Sequence, residues 1–345
     1  MALELQPPLA PMEALSVDEI PTGDEWQYEP KWDGFRCLAF RDGEKIELQS
    51  KAGQPLARYF PEVVEALRAL KPTQFALDGE LMIPCGKAFS FDDLLLRLHP
   101  AASRVQKLAA QTPAIYLVFD LLADARGRSL ADTPLRDRRA ALEAFAREHF
   151  AGCDHFRLSP ATTELADASK WLKGVGSALD GIIAKRLGCP YQAGERSGMQ
   201  KIKNYRSADC VVGGFRYGTG KNVVGSLLLG LFNDAGQLDH VGFTSSIKAG
   251  ERPELTRKLE ALKEPPGFTG RAPGGPSRWN KGKENEWHPL RPELVVEVSF
   301  DHFSQGRFRH GTKLLRFRPD KAPEQCRMEQ VSQKDADLQQ LLKRI

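Results

Sequence analysis

Glu29-Pro30-Lys31-Trp32-Asp33-Gly34-Phe35-Arg36 sets a lysine ahead of an aspartate-glycine pair and an arginine, in the order K-x-D-G-x-R, and an apolar run from Phe35 to Phe40 follows at once. Two readings compete for Lys31. It is either an ordinary surface lysine beside a strand or a nucleophile. An amine attacks only when deprotonated, so a site that uses one must lower its pKa by burial or by neighbouring positive charge. The second reading therefore requires more cations elsewhere in the chain. Lys51, Lys185, Lys201 and Lys203 supply them, each in a segment of its own rather than in a general basic run.

Those segments follow in a fixed order. After the lysine motif come Ser50-Lys51-Ala52-Gly53, Leu77-Asp78-Gly79-Glu80-Leu81, Tyr116 through Leu122, Asp180-Gly181-Ile182-Ile183-Ala184-Lys185, Lys201-Ile202-Lys203 and Arg316-Phe317-Arg318-Pro319-Asp320-Lys321. Any one of them is weak, whereas the ordered set is specific. It resembles the ATP-dependent DNA ligases of the covalent nucleotidyltransferase superfamily, which also contains RNA ligases and messenger-RNA capping enzymes. The stretch from Val295 to Val298 and on through Arg307 to Thr312, with no extra catalytic domain, is most similar to the stand-alone bacterial ligase C class.

Composition agrees without deciding. A chain of 345 residues suggests two domains at roughly 150 residues each, and 41% apolar residues permit a hydrophobic core. A formal charge of +4 and a pI near 8.7 allow a nucleic-acid partner but exclude a histone-like composition. Cys37, Cys85, Cys153, Cys189, Cys210 and Cys326 are scattered without a CxxC pair, which reads as free thiols in a reducing cytosol rather than a zinc site. No leader pattern and no run near ~20 apolar residues is present, so a soluble protein of the bacterial cytosol or nucleoid is expected, without a membrane and most simply monomeric.

Helical spacing of Phe60, Val63, Val64, Leu67 and Leu70 predicts one helix, and Ser90 with Asp92 and Asp93 opens a second. Thr133 followed by Pro134 reads as an N-cap and first helical position. Strand-like runs lie at 35 to 40, 75 to 83, 115 to 121 and 181 to 185. From Ala208 the texture changes to short runs separated by glycine-rich turns, with one helix around 251 to 263, which predicts a small β-barrel. The resemblance implies a mixed α/β (α+β), ATP-grasp-like nucleotidyltransferase domain over 1–206, an oligonucleotide-binding (OB) barrel over 207–327, and a helical tail over 328–345. The stretch Gly267 to Pro292, with Arg278, Trp279, Lys281, Lys283 and Trp287, is expected to be a long loop, either DNA-touching or a plain insertion.

The resemblance also implies roles. Lys31 attacks the α-phosphorus of ATP, Glu29 accepts the adenine amino group, Arg36 and Glu80 hold the ribose, and Phe119 stacks on the base, although an aromatic in an apolar strand is ordinarily core. Glu80 and Asp180 would stand near Mg²⁺, with Mn²⁺ as the alternative metal. Lys185, Lys201 and Lys203 would reach phosphate, the last two because alternate strand residues share a face. Arg318, Asp320 and Lys321 would orient pyrophosphate when the second domain closes. Asp180 stands where many members carry glutamate, and Lys51 where arginine is frequent, so Lys51 would grip the nick's 5′-phosphate as a point charge.

The implied activity is sealing of 5′-phosphate/3′-hydroxyl nicks in duplex DNA, in repair. The rivals are an RNA ligase or capping guanylyltransferase, and a catalytically silent nick-binding module. The polar tail, with Leu338, Leu341, Leu342 and Ile345 at helical spacing, either docks a separately encoded repair polymerase or packs on its own protein.

Overall fold

The computed structural model describes residues 3–174, 179–219, 222–274, 286–332 and 338–342. It divides into two compact units, Met1–Asn204 with Lys334–Ile345, and Tyr205–Gln333.

Two sheets build the first unit. In one, β1 (Leu15–Ser16), β11 (Met199–Lys203), β10 (Gly181–Arg186) and β2 (Trp26–Lys31) lie side by side in that order. Alternation along these strands sends Trp26, Tyr28, Ile182, Ala184 and Ile202 into one apolar cluster, which leaves Gln27, Glu29, Lys31, Lys185, Lys201 and Lys203 on the opposite face. The second sheet runs β4 (Lys45–Ser50), β3 (Phe35–Asp42), β5 (Gln74–Met82), β8 (Ile115–Ala123) and β9 (Phe156–Leu158). Its core joins Leu38's neighbours Cys37 and Ala39 to side chains of α1 (Pro61–Ala69), α2 (Phe91–Arg97) and α4 (Leu135–His149). A short hairpin of β6 (Pro84–Cys85) and β7 (Ala88–Phe89), with α3 (Ala102–Gln111) and α5 (Leu165–Gly174), completes the unit.

Ser90 caps α2, accepting from the Asp93 N–H at 3.1 Å. The expected cap at Thr133 is corrected: α4 begins at Leu135 with Pro134 as its N-cap and no side-chain cap. The Thr133 carbonyl is instead taken by Arg138 Nη1 at 2.6 Å. That buried arginine organises the helix start in place of a hydroxyl.

In the second unit β14 (Leu238–Thr244), β13 (Val224–Phe232), β12 (Arg206–Tyr217), β16 (Val295–Phe300) and β19 (Lys313–Phe317) are adjacent in that order, and β15 (His288–Pro289) pairs with β12. The sheet curls until its edges meet: Thr312 N–H donates to the Phe243 carbonyl at 3.1 Å and Thr244 Oγ1 donates to the Thr312 carbonyl at 2.9 Å. The two edge strands thus satisfy each other, as a closing barrel requires. The helix α6 (Arg252–Glu260) and a hairpin of β17 (Phe303–Ser304) and β18 (Arg307–Phe308) accompany it.

Of the expected DNA-touching loop, Arg278, Trp279, Lys281 and Lys283 lie outside the described residues, and Trp287 lies within them. The end of the chain folds back on the first unit, where a 3₁₀ turn at Leu338–Leu342 puts Leu338 into the Trp26 and Tyr28 cluster with Leu341 and Leu342 against it. Ile345 lies outside the described residues.

Candidate active site

The register across β2, β10 and β11 sets Lys31 opposite Gly181 and Gly181 opposite Lys203, and likewise aligns Glu29, Ile183 and Lys201. Gly181 makes the first row possible. Its φ is +148°, and a Cβ there would lie 1.9 Å from the Ile202 carbonyl oxygen, so only glycine fits. Lys31, 22% exposed, forms an ion pair with Asp180, whose carboxylate is buried. Glu29 Oε1 accepts from Lys185 Nζ at 2.8 Å and from Gln27 Nε2 at 2.8 Å.

The lysine loop then feeds β3, where Arg36 pairs with Glu80 of β5. Gly34 is required by close approach, since a Cβ there would lie 2.3 Å from the Leu81 carbonyl oxygen. The Gly34 N–H donates to Glu80 Oε1 at 3.2 Å. Burial pushes the Glu80 carboxyl up to about 7, against the pull of Arg36 and Lys31.

Phe119 is the unpaired residue of a β-bulge. Asp78 faces Asp120 and Gly79 faces Val118, so the register skips it. Bulges re-aim a side chain, and the ring takes Arg36 Cζ at 4.6 Å and Lys185 Nζ at 4.5 Å from its centroid. A cleft of about 280 Å³, its mouth included, is lined by Arg36, Asp78, Phe119, Lys185, Tyr191 and Met12 among others. It joins residues from both sheets into one aromatic and cationic recess.

Lys201 is the amine whose pKa is lowered, first by burial and then by Lys31, Lys203 and Lys51. Lysines from three separate segments thus lie close enough to one another for their charges to act on Lys201. Lys51, however, is engaged by Glu13 at 3.2 Å, and Arg196 binds the same carboxylate at 2.8 Å.

Three partners escaped the sequence reading. Asp78 grips Arg36 through two nitrogens, with Nε to Oδ1 at 2.5 Å, and Tyr191 donates its hydroxyl to Asp78 Oδ2 at 2.6 Å while accepting from the Met12 N–H at 3.0 Å. Burial and Asp78 push the Tyr191 hydroxyl well up, so it stays a donor. In the second unit Asp209 holds Arg318 at 3.0 Å and Lys321 at 2.6 Å, and Arg318 also meets Asp320 at 2.9 Å. The Asp in Leu77-Asp78-Gly79 was quotable from the sequence, but Tyr191 and Asp209 lie in segments whose pairing only the fold reveals.

Residues 7–203 match the family model described as ATP dependent DNA ligase domain, and residues 220–321 match the ATP dependent DNA ligase C terminal region. The chain belongs to the ATP-dependent DNA ligases. It is 44% identical over 351 aligned positions to DNA ligase C2 of Mycolicibacterium smegmatis, covering 96% of each chain. DNA ligase C of Mycobacterium tuberculosis is 42% identical, again over 96% of each. Among solved structures, one titled as a study of Lig E DNA ligases as minimal DNA-binding scaffolds superposes with a TM-score of 0.55 at 17% identity, covering 89% of this chain and 100% of that one, which speaks to the fold alone. The enzyme thus carries the nucleotidyltransferase and C-terminal domains of a DNA ligase.

Proposed function

We propose that this ligase seals nicked duplex DNA in repair through an AMP carried on Lys31. The observation that supports this best is the shared face of β2, β10 and β11, which puts Lys31 in one row with Lys203 and beside Lys201 and Lys185, next to the Phe119 recess. Lys31 Nζ attacks the α-phosphorus of ATP, an N–P bond forms, the amine loses a proton and pyrophosphate leaves. Such a displacement needs mainly positioning and charge neutralisation. Lys185, Lys201 and Lys203 neutralise the phosphates, Glu29 accepts the adenine amino group, Phe119 stacks on the base, and Arg36 with Glu80 holds the ribose. Arg318 and Lys321 are assigned to the leaving pyrophosphate, and Asp320 holds Arg318. AMP then passes to the 5′-phosphate of the nick, and the 3′-hydroxyl expels it.

Among the described residues no group of three His, Cys, Asp or Glu side chains forms a cage for a metal ion. Mg²⁺ is ordinarily held by one or two carboxylates with waters and substrate phosphates, and Asp180 and Glu80, both acting on Lys31, fit that donor set. Mg²⁺ or Mn²⁺, when bound, supplies charge neutralisation on the phosphates. The protein works as a monomer on DNA, and a repair polymerase is a candidate partner.

The test is intact mass after incubation of wild type and Lys31→Ala with ATP or GTP and Mg²⁺, followed by nicked DNA and nicked RNA. An AMP adduct on wild type alone, with DNA sealed, is expected. A GMP adduct, or sealing of RNA only, would refute the assignment.

A further inference from the structure

Charge in the second unit is distributed unevenly. Arg318, Lys321 and Arg316 all meet carboxylates, whereas a second set of arginines meets none among the described residues. Strand register puts Arg216 opposite Ser226 of β13 and His240 of β14 opposite Gly230 of β13. Ser226 and Gly230 are four apart on one strand, so Arg216 and His240 share a face of the sheet. Arg271 is tied to His240 through the backbone: its carbonyl accepts from the His240 N–H at 2.7 Å and its Nη2 donates to the His240 carbonyl at 3.3 Å. The same guanidinium donates to the carbonyl of Gly306, next to Arg307.

The polar accounting at this place does not close. His240 is 8% exposed, yet neither ring nitrogen has a hydrogen-bond partner among the described residues. Arg216 Nε and Arg271 Nε are buried and equally without one. Burial alone holds Arg216 below its ordinary pKa, and burial with Arg271 does the same to Arg307, so no carboxylate compensates either group. Half-buried cations are costly unless paired. Three of them round one unpartnered histidine form a site that lacks its counter-ion. Aromatic rings flank it, with Phe268 edge-on to His240 at 5.3 Å and Trp287 5.6 Å from Phe268.

We propose that Arg216, Arg271 and Arg307, with His240 as the floor between them, bind a phosphodiester of the DNA backbone. This rests on the ligase reading for its ligand. Guanidinium forks match phosphate oxygens in pairs and keep their charge at any working pH. A neutral histidine adds one N–H donor. The contact is independent of base sequence and positions the duplex rather than reading it.

Binding of nicked duplex is measured by fluorescence anisotropy from about 50 to 200 mM KCl. Arg216→Gln combined with Arg307→Gln is expected to bind about tenfold more weakly for every sequence around the nick, with a log–log salt slope shallower by about 1. Arg257→Gln, an exposed arginine on α6, should leave the slope unchanged, and Arg307→Lys should keep most of it. An unchanged slope in the double variant overturns the site, and so does an Arg307→Lys protein that loses as much as Arg307→Gln, because folding rather than charge would then be at stake. Loss of stabilisation by inorganic phosphate with an unaltered DNA slope would point to free phosphate and overturn the backbone assignment. AMP-adduct formation, read in the same preparations, should be unaffected in all variants. Its failure in wild type would refute the ligase reading without touching the salt slope.

Discussion

His240 should make the stability of the second unit fall in mild acid. Burial, followed by Arg307, Arg216 and Arg271, holds its imidazole down to about 4. The ordinary value is about 6.5. The folded state therefore binds fewer protons than the unfolded chain between these values, and stability present above pH 6.5 is lost as the pH falls toward 4. The whole effect is about 2.5 pH-scale steps at 1.36 kcal/mol each, or about 3.4 kcal/mol. Between pH 7.5 and pH 5 about 2 kcal/mol of it should be lost. The assay is urea unfolding in phosphate-free buffer at both pH values for wild type and His240→Leu. Because the chain has two units, the transition of the second must be resolved separately, for example by the fluorescence of Trp287. Wild type should lose about 2 kcal/mol more than the variant over that interval. Equal losses would mean that His240 is solvated or paired in the folded protein, and the burial argument would fail.

Tyr191→Phe removes a donor to Asp78 and an acceptor for Met12, which should cost about 2–3 kcal/mol in thermal or urea unfolding and raise the KM for ATP more than it lowers kcat, because Arg36 loses its brace. Gly181→Ala combines a left-handed-side φ with a Cβ against the Ile202 carbonyl, so a loss of about 3 kcal/mol or more is expected, read as soluble yield and unfolding midpoint. Asp209→Asn removes the carboxylate charge that binds Arg318 and Lys321. It should slow AMP-adduct formation about tenfold, the order expected from loosening one charged pair, while sealing of a nick supplied already adenylylated proceeds normally. Equal loss in both assays would limit Asp209 to folding.

Much of the fold was legible because the strands that carry function alternate cleanly. Lys201 and Lys203 could be put on one face from spacing alone, and the register across β10 adds Lys31 to their row. Phe119 was harder. Within Tyr116-Leu117-Val118-Phe119 nothing in composition distinguishes it from core, and it is the slipped register opposite Asp78 and Gly79 that turns it toward Arg36 and Lys185. Tyr191 and Asp209 were missed for a different reason. Each acts by holding another side chain over a sequence separation of 113 and 109 residues, and such pairings leave no local period. The Thr133 cap failed because α4 begins one residue later than the spacing suggested, with Pro134 at the N-cap and Thr133 one position outside it.

The ion pairs of the site differ in what ATP would require of them. Glu29 receives both Gln27 and Lys185 on the same oxygen, Oε1, so the adenine contact proposed for it could be made by Oε2 without breaking either. Lys31 is the exception. Its pairing with Asp180 requires an ammonium, whereas the attack proposed for it requires the neutral amine, so on that proposal this pair would have to open for the first step. On the same proposal Asp180 would restrain Lys31 beforehand and release it once other cations occupy its carboxylate. Its shorter side chain, one methylene less than glutamate, keeps that carboxylate close to β10 and within reach of the row that Lys31 and Lys203 share across Gly181.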